Sequence, residues 1–176
     1  QSYKDAQNVV ISGMGGSGLP GHILSSVFAT KVPFKSVNGY DLPYWVGPNT
    51  LSVLSSYSGN TEETLSCASQ AVKSNSKIIG LTTGGRLAVF LKNNKFPCFI
   101  YRPSFNPSLQ PRFGLGYSLF GLLGLLNKLQ FLVSPGGTVE YQVTSSIKSV
   151  EEGKKRLDKE AVELAIGKSL DRQTHE

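Results

Sequence analysis

Short apolar runs recur along this chain, and most end in glycine or hydroxyl residues just before a segment with helical spacing. Asn8–Ser12 reads as a strand, and Ser17–Lys31 follows as a helix with Leu19, Ile23, Leu24, Val27 and Phe28 on one side. Phe34–Asn38 and Thr50–Tyr57 read as the second and third strands. A helix from Asn60 to about Ser74 comes next. Asn60 can cap it with its side-chain oxygen while Glu63 reaches back, a capping-box arrangement. Lys77–Thr82 is a fourth strand, Gly85–Asn94 a short helix and Pro97–Tyr101 a fifth strand. The most apolar stretch, Ser118–Val133, is interrupted by Asn127, Lys128 and Gln130 and reads as a buried helix. After a hinge at Ser134–Thr138, Val143, Ile147, Val150, Leu157, Ala161 and Leu164 recur at helical spacing opposite a mixed-charge face.

Strands alternating with helices over short connections predict an α/β fold, a three-layer αβα sandwich around a five-stranded parallel sheet with right-handed crossovers. In such sheets a ligand lies at the carboxyl ends of the strands, where strand order reverses. The loops after the first and third strands both fall at that edge. The expected organisation is one domain over residues 1–139, with 140–176 as a helical tail or linker.

Composition narrows the partners. The chain has 176 residues, 39% hydrophobic and 17% charged, which is globular rather than disordered. It has neither an apolar run of membrane-spanning length nor a basic-then-apolar N-terminal signal, so no membrane partner and a cytoplasmic location are expected. Cys67 and Cys98 form no CxxC motif and have no histidine cluster beside them, which indicates neither a disulfide framework nor a metal site. The net charge of +6 is uneven: residues 1–139 hold 11 Lys and Arg against 4 Asp and Glu, whereas 140–176 hold 7 against 8. Positive excess over the glycine-rich part favours an anionic ligand. No basic block with interleaved aromatics marks nucleic-acid binding.

The two loops give that anion a chemistry. A helix N-terminus offers unpaired N–H groups and the positive end of a dipole; hydroxyls add compact donors, and glycine lets the backbone come close. In "SGMGGSGLPG" and "SSYSGNTEET", the residues Gly16, Ser17, Ser56, Ser58 and Thr61 therefore form a candidate phosphate cradle. Taken singly, each is an ordinary turn former or helix cap, and Ser55 is read that way because strand alternation turns it from Ser56. Gly13, Gly15 and Gly18 also satisfy the dinucleotide spacing G-x-G-x-x-G, with Asp41 beyond the second strand. Against that rival, Asp41 is displaced from the strand end, the loop is unusually small and polar, and a nicotinamide site has no use for "SYSGNT". A mononucleotide P-loop would need a Gly-Lys-Ser/Thr that is absent.

The stretches "ISGMGGSGLPGHIL", "YDLPYWV", "SYSGNTEETL", "GLTTGGRL" and "QPRFGLGYSL", in this order, resemble the N-terminal sugar isomerase (SIS) lobe of the bifunctional phosphoglucose/phosphomannose isomerases. The resemblance implies a flavodoxin-like strand order and a sugar-phosphate site at Ser17, Ser56, Ser58 and Thr61. It also implies that Arg112 of "QPR" stabilises a negatively charged enediolate, for which a fixed guanidinium suits. The implied reaction interconverts glucose or mannose 6-phosphate with fructose 6-phosphate through a cis-enediol, with no cofactor or metal. In that family the glutamate base and the histidine and lysine for proton transfer and ring opening come from a second lobe or a partner subunit. The expectation is thus an N-terminal lobe completed by a second SIS lobe and a homodimeric partner. Nearby substitutes are poor: Glu62 and Glu63 read as helix-start capping, His22 as a packing or surface residue, and His175 and Glu176 as terminal. A one-lobe sugar-phosphate sensor is the alternative, but a sensor has no use for Arg112.

Overall fold

A computed structural model describes residues 2–133 of the chain. The hinge, the helical tail and the boundary at 139/140 expected above lie outside the described residues.

Five strands form one parallel sheet: β1 (Asn8–Ser12), β3 (Phe34–Val37), β4 (Thr50–Ser56), β5 (Lys77–Thr82) and β6 (Cys98–Ile100), in the order β3-β1-β4-β5-β6. This is the expected flavodoxin-like order. Among the described residues, α1 (Leu19–Val27), α2 (Glu62–Lys73) and α3 (Gly85–Asn93) lie between its strands, and α4 (Leu115–Lys128) follows β6. A small antiparallel pair, β2 (Ala29–Thr30) with β7 (Leu132–Val133), closes the described part.

The core follows from strand alternation. Val10, Leu54 and Ile78 face one side of the sheet and pack with Cys67, Ala68 and Ala71 of α2 and Leu87 and Leu91 of α3. Ile11 and Leu81 face the other side, where a Cβ on Gly21 of α1 would fall 3.4 Å from Ile11 Cγ2 and one on Gly121 of α4 would fall 3.2 Å from Leu81 Cδ1, so both helices sit close to the sheet. All seven residues of β4 are buried, as expected of a central parallel strand covered on both faces. Its buried Ser52 hydroxyl is satisfied by Ser76 at 2.9 Å. Each fully buried Leu, Ile or Val contributes about 1.5–3 kcal/mol. β1 and β4 sit side by side at the point where strand order reverses, so their C-terminal loops meet.

Two helix boundaries, the burial of the last helix and one helix cap are corrected. The first helix ends at Val27 rather than Lys31, because Lys31 N–H donates to Phe131 O (2.9 Å) and the chain is drawn into the β2–β7 pair. The last helix runs over Leu115–Lys128; Gln130 takes a left-handed conformation (φ 63°), which ends the helix and releases Leu132 and Val133 into β7. That helix is buried on one face only, at Leu122, Leu123 and Leu126, while Phe120 is half-exposed. The Asn60–Glu63 capping box does not form. Thr61 is the N-cap of α2, with no side-chain cap bond, because its hydroxyl pairs with Ser56. Asn60 Oδ1 instead accepts from Arg86 N–H (3.1 Å) at the start of α3.

Candidate functional site

Hydrogen bonds lock the two hydroxyl loops together. Ser55 Oγ donates to Ser17 O (2.9 Å), and Tyr57 N–H donates to Ser17 Oγ (2.9 Å). Ser55 is thus neither a cap nor a turn former; it is a buried strand residue that holds the glycine loop. Strand alternation is what sends its hydroxyl to that loop while Ser56 serves its own. Ser56 Oγ lies 2.8 Å from Thr61 Oγ1 and accepts from Gly59 N–H (3.0 Å), drawing the loop into a tight arc. Ser58 is exposed, and its hydroxyl accepts from Asn60 N–H (3.2 Å).

Those bonds determine what remains for a ligand. Ser17 and Ser58 each use their oxygen as an acceptor, so each keeps its proton to donate. The Ser56–Thr61 pair spends one proton between its partners and keeps the other. The leading N–H groups of α2 have no intrahelical acceptor and carry the positive end of its dipole. Compact donors and a helix start therefore share one edge, a set suited to a phosphate. From behind, Thr83 Oγ1 donates to Tyr57 O (2.6 Å) and Leu87 N–H to Gly59 O (2.8 Å), which explains the adjoining "GLTTGGRL" as a buttress.

Arg112 is brought to the same edge by backbone packing. A Cβ on Gly16 would come within 2.9 Å of Arg112 N and of Pro111 C, so only glycine lets the QPR segment lie against the first loop. On the other side, a Cβ on Gly114 would fall 2.4 Å from the Tyr57 ring. The Tyr57 hydroxyl accepts from Asn106 Nδ2 (2.8 Å), whose other proton goes to Gln110 O (2.9 Å). Arg112 is exposed and pairs with no carboxylate among the described residues. The Tyr101 ring meets Tyr57 edge-on at 6.1 Å and stacks on Tyr117 at 6.0 Å. Burial, then Tyr57, pushes the Tyr101 phenol up to about 12.

The remaining candidates fall into supporting places. His22 is exposed on α1, and its Nε2 lies 2.8 Å from the Asn38 side chain; with that amide nitrogen turned to Gly13 O (2.9 Å), Asn38 links the histidine to the first loop. Glu63, the larger influence, and Glu62 sit close enough to Tyr40 to raise its phenol pKa, which places them on the flank of α2. Asp41 is exposed and meets Gln70 Nε2 at 3.5 Å. Both cysteines are free, and burial raises both thiols. Among the described residues no cluster of His, Cys, Asp or Glu could hold a metal ion, and no helix is long and apolar enough to cross a membrane. Sequence reasoning missed Tyr57, Asn38 and Asn106. Tyr57 had a signal in its place inside "SYSGNT", but Asn106 stands in a loop with no periodicity to single it out.

A parallel sheet of this order, with helices on both faces, is the fold seen in solved sugar isomerase structures. Solved structures agree: Escherichia coli tagatose-6-phosphate ketose/aldose isomerase superposes with a TM-score of 0.52 at 16% identity, over 70% of this chain and 37% of that one. No family model matches. Among curated proteins, the bifunctional phosphoglucose/phosphomannose isomerase of Caldicellulosiruptor bescii is 41% identical over 163 residues, 91% of this chain and 45% of that protein. That of Thermoplasma acidophilum is 42% identical over 111 residues, 62% of this chain and 33% of its own length. The chain is a homologue of the bifunctional phosphoglucose/phosphomannose isomerases, as its motifs indicated, and it spans less than half the length of these relatives.

Proposed function

We propose that this chain supplies the phosphate-binding and oxyanion-stabilising part of an aldose–ketose isomerase acting on hexose 6-phosphates. The observation that carries the reading is the meeting of three segments at one sheet edge: Ser17 bonded to Tyr57, and Gly16 packed on Arg112. In this reading the Ser17, Ser58 and Ser56–Thr61 hydroxyls, with the N-terminus of α2, hold the sugar phosphate. The phosphate fixes the far end of an open-chain sugar, so its C1–C2 end reaches Arg112. When a base removes the C2 proton, the electron pair forms the C1–C2 double bond and negative charge develops on the C1 oxygen of the cis-enediolate. A guanidinium already in place offers paired donors to that charge without reorganising.

The base itself belongs elsewhere. No carboxylate is bonded to Arg112 or to the cradle hydroxyls among the described residues, and Glu62 and Glu63 flank Tyr40 instead. We assign proton transfer to a second SIS lobe and to a homodimeric partner, with residues 1–139 as the phosphosugar-binding domain and 140–176 leading toward that lobe. A cytoplasmic location fits a phosphorylated substrate.

Calorimetric titration of the chain with fructose 6-phosphate and, separately, with NAD tests the reading. Fructose 6-phosphate binds at one site and inorganic phosphate competes for it, while NAD does not bind. Binding of NAD without fructose 6-phosphate would overturn the proposal in favour of a dinucleotide site.

A further inference from the structure

We propose that Asn106 is a positioning residue for Arg112, joining the guanidinium to the phosphate loop through Tyr57. The inference rests on the isomerase reading above. Asn106 is 3% exposed and lies in the irregular segment between β6 and α4. Its side chain is nearly saturated. Nδ2 donates to Tyr57 Oη (2.8 Å) and to Gln110 O (2.9 Å), and Oδ1 accepts from Ser108 Oγ (2.7 Å). Gln110 O also accepts from Phe113 N–H (3.1 Å), so one carbonyl closes the turn whose outer corner is Pro111–Arg112.

Apolar burial does not hold this segment. Phe105, Leu109 and Phe113 are 92%, 69% and 77% exposed. Close backbone packing at Gly16 and Gly114 and polar ties therefore set its position, and of the three bonds made by the buried Asn106 amide, the one to Tyr57 reaches the body of the fold. The partner chosen for that tie is informative. Tyr57 lies between Ser56 and Ser58 in the cradle, its N–H rests on Ser17 Oγ, and its carbonyl accepts from Thr83. Two side-chain hydrogen bonds in series thus run from the phosphate loop to the backbone carbonyl two residues before Arg112. Any shift of that loop on binding phosphate is passed to the arginine, and loss of either bond loosens the Pro111–Arg112 corner against its Gly16 packing while leaving the cradle hydroxyls in place.

The test compares the whole chain with Asn106→Ala and Tyr57→Phe, using two probes: inorganic phosphate, which needs only the cradle, and arabinonate 5-phosphate, whose carboxylate mimics the enediolate. Tyr57→Phe removes only the accepting oxygen and keeps the ring, so it remains informative if Asn106→Ala folds poorly. Affinity for arabinonate 5-phosphate falls about tenfold in Asn106→Ala and several-fold in Tyr57→Phe, while affinity for phosphate stays within about twofold. In an Arg112→Ala background the Asn106→Ala change adds no further loss, because the group it positions is gone. Equal losses for both probes, no loss for either, or additive losses in the double variant would each overturn the assignment. Failure of the wild-type chain to bind either probe would instead sink the isomerase reading, and this inference with it.

Discussion

Ser17 and Ser58 are both placed in the phosphate cradle, yet the structure separates their contributions to stability. Ser17 is 6% exposed, and its oxygen is the acceptor for the N–H of Tyr57, itself 7% exposed. Ser17→Ala leaves that buried N–H unpaired, which costs about 1–3 kcal/mol. At this chain length a loss of ~2 kcal/mol lowers Tm by about 4–8 °C. Ser58 is exposed and bonded only to Asn60 N–H at 3.2 Å, a donor that water can serve. Ser58→Ala changes stability by no more than about 0.5 kcal/mol. Both lose a hydroxyl donated to an anionic oxygen, worth about 1.5–3 kcal/mol, so both weaken fructose 6-phosphate binding about ten- to a hundredfold. Urea unfolding followed by fluorescence, with calorimetric titration of the same samples, reads both quantities. Equal stability for Ser17→Ala and Ser58→Ala would refute the role given to the Ser17–Tyr57 bond.

Other perturbations probe the frame around the site. Gly59 has φ +70°, and a Cβ there would fall 1.8 Å from Gly84 O, so Gly59→Ala destabilises the chain by about 2–5 kcal/mol, readable as a lowered urea midpoint. Gly16→Ala pushes the Pro111–Arg112 backbone outward; it lowers affinity for arabinonate 5-phosphate more than affinity for inorganic phosphate, and matched losses would contradict the packing argument. The Tyr101 phenol is raised from 10.0 to about 12 in the folded chain. The folded state thus holds that proton more tightly than the unfolded one, so this stabilisation is complete below pH 10 and lost as pH rises through about 12. Stability of the wild type should fall more steeply between those values than that of Tyr101→Phe, and parallel curves would deny the shift.

The parallel sheet was legible because its signal is local and repeated. β1 and β5 are continuous apolar runs, and both were located to the residue from sequence. The meeting of the two hydroxyl loops was legible too, since strand–helix alternation alone sends both to one edge. Interactions between distant segments were not. The end of α1 depends on Phe131, more than a hundred residues away from Val27, and no local pattern announces that pairing. Asn60 looks like a cap for its own helix, but its oxygen is taken by Arg86, a choice only the folded loop reveals. Half the reason for Gly16 is local, small size near a phosphate, whereas its close approach to Arg112 is set by tertiary packing. Asn106 shows the limit most clearly. Its function lies in what it joins, and Tyr57 and Gln110 stand on opposite sides of it in the sequence.

The central claim is that two loops and the QPR segment form a single site. Amide and arginine side-chain NMR spectra of the chain, recorded through a titration with fructose 6-phosphate, test it most directly. The account predicts that Ser17, Ser58 and the first-turn amides of α2 shift together with Arg112 Nε along one binding curve. Shifts confined to one loop, with Arg112 unmoved at saturation, would contradict it.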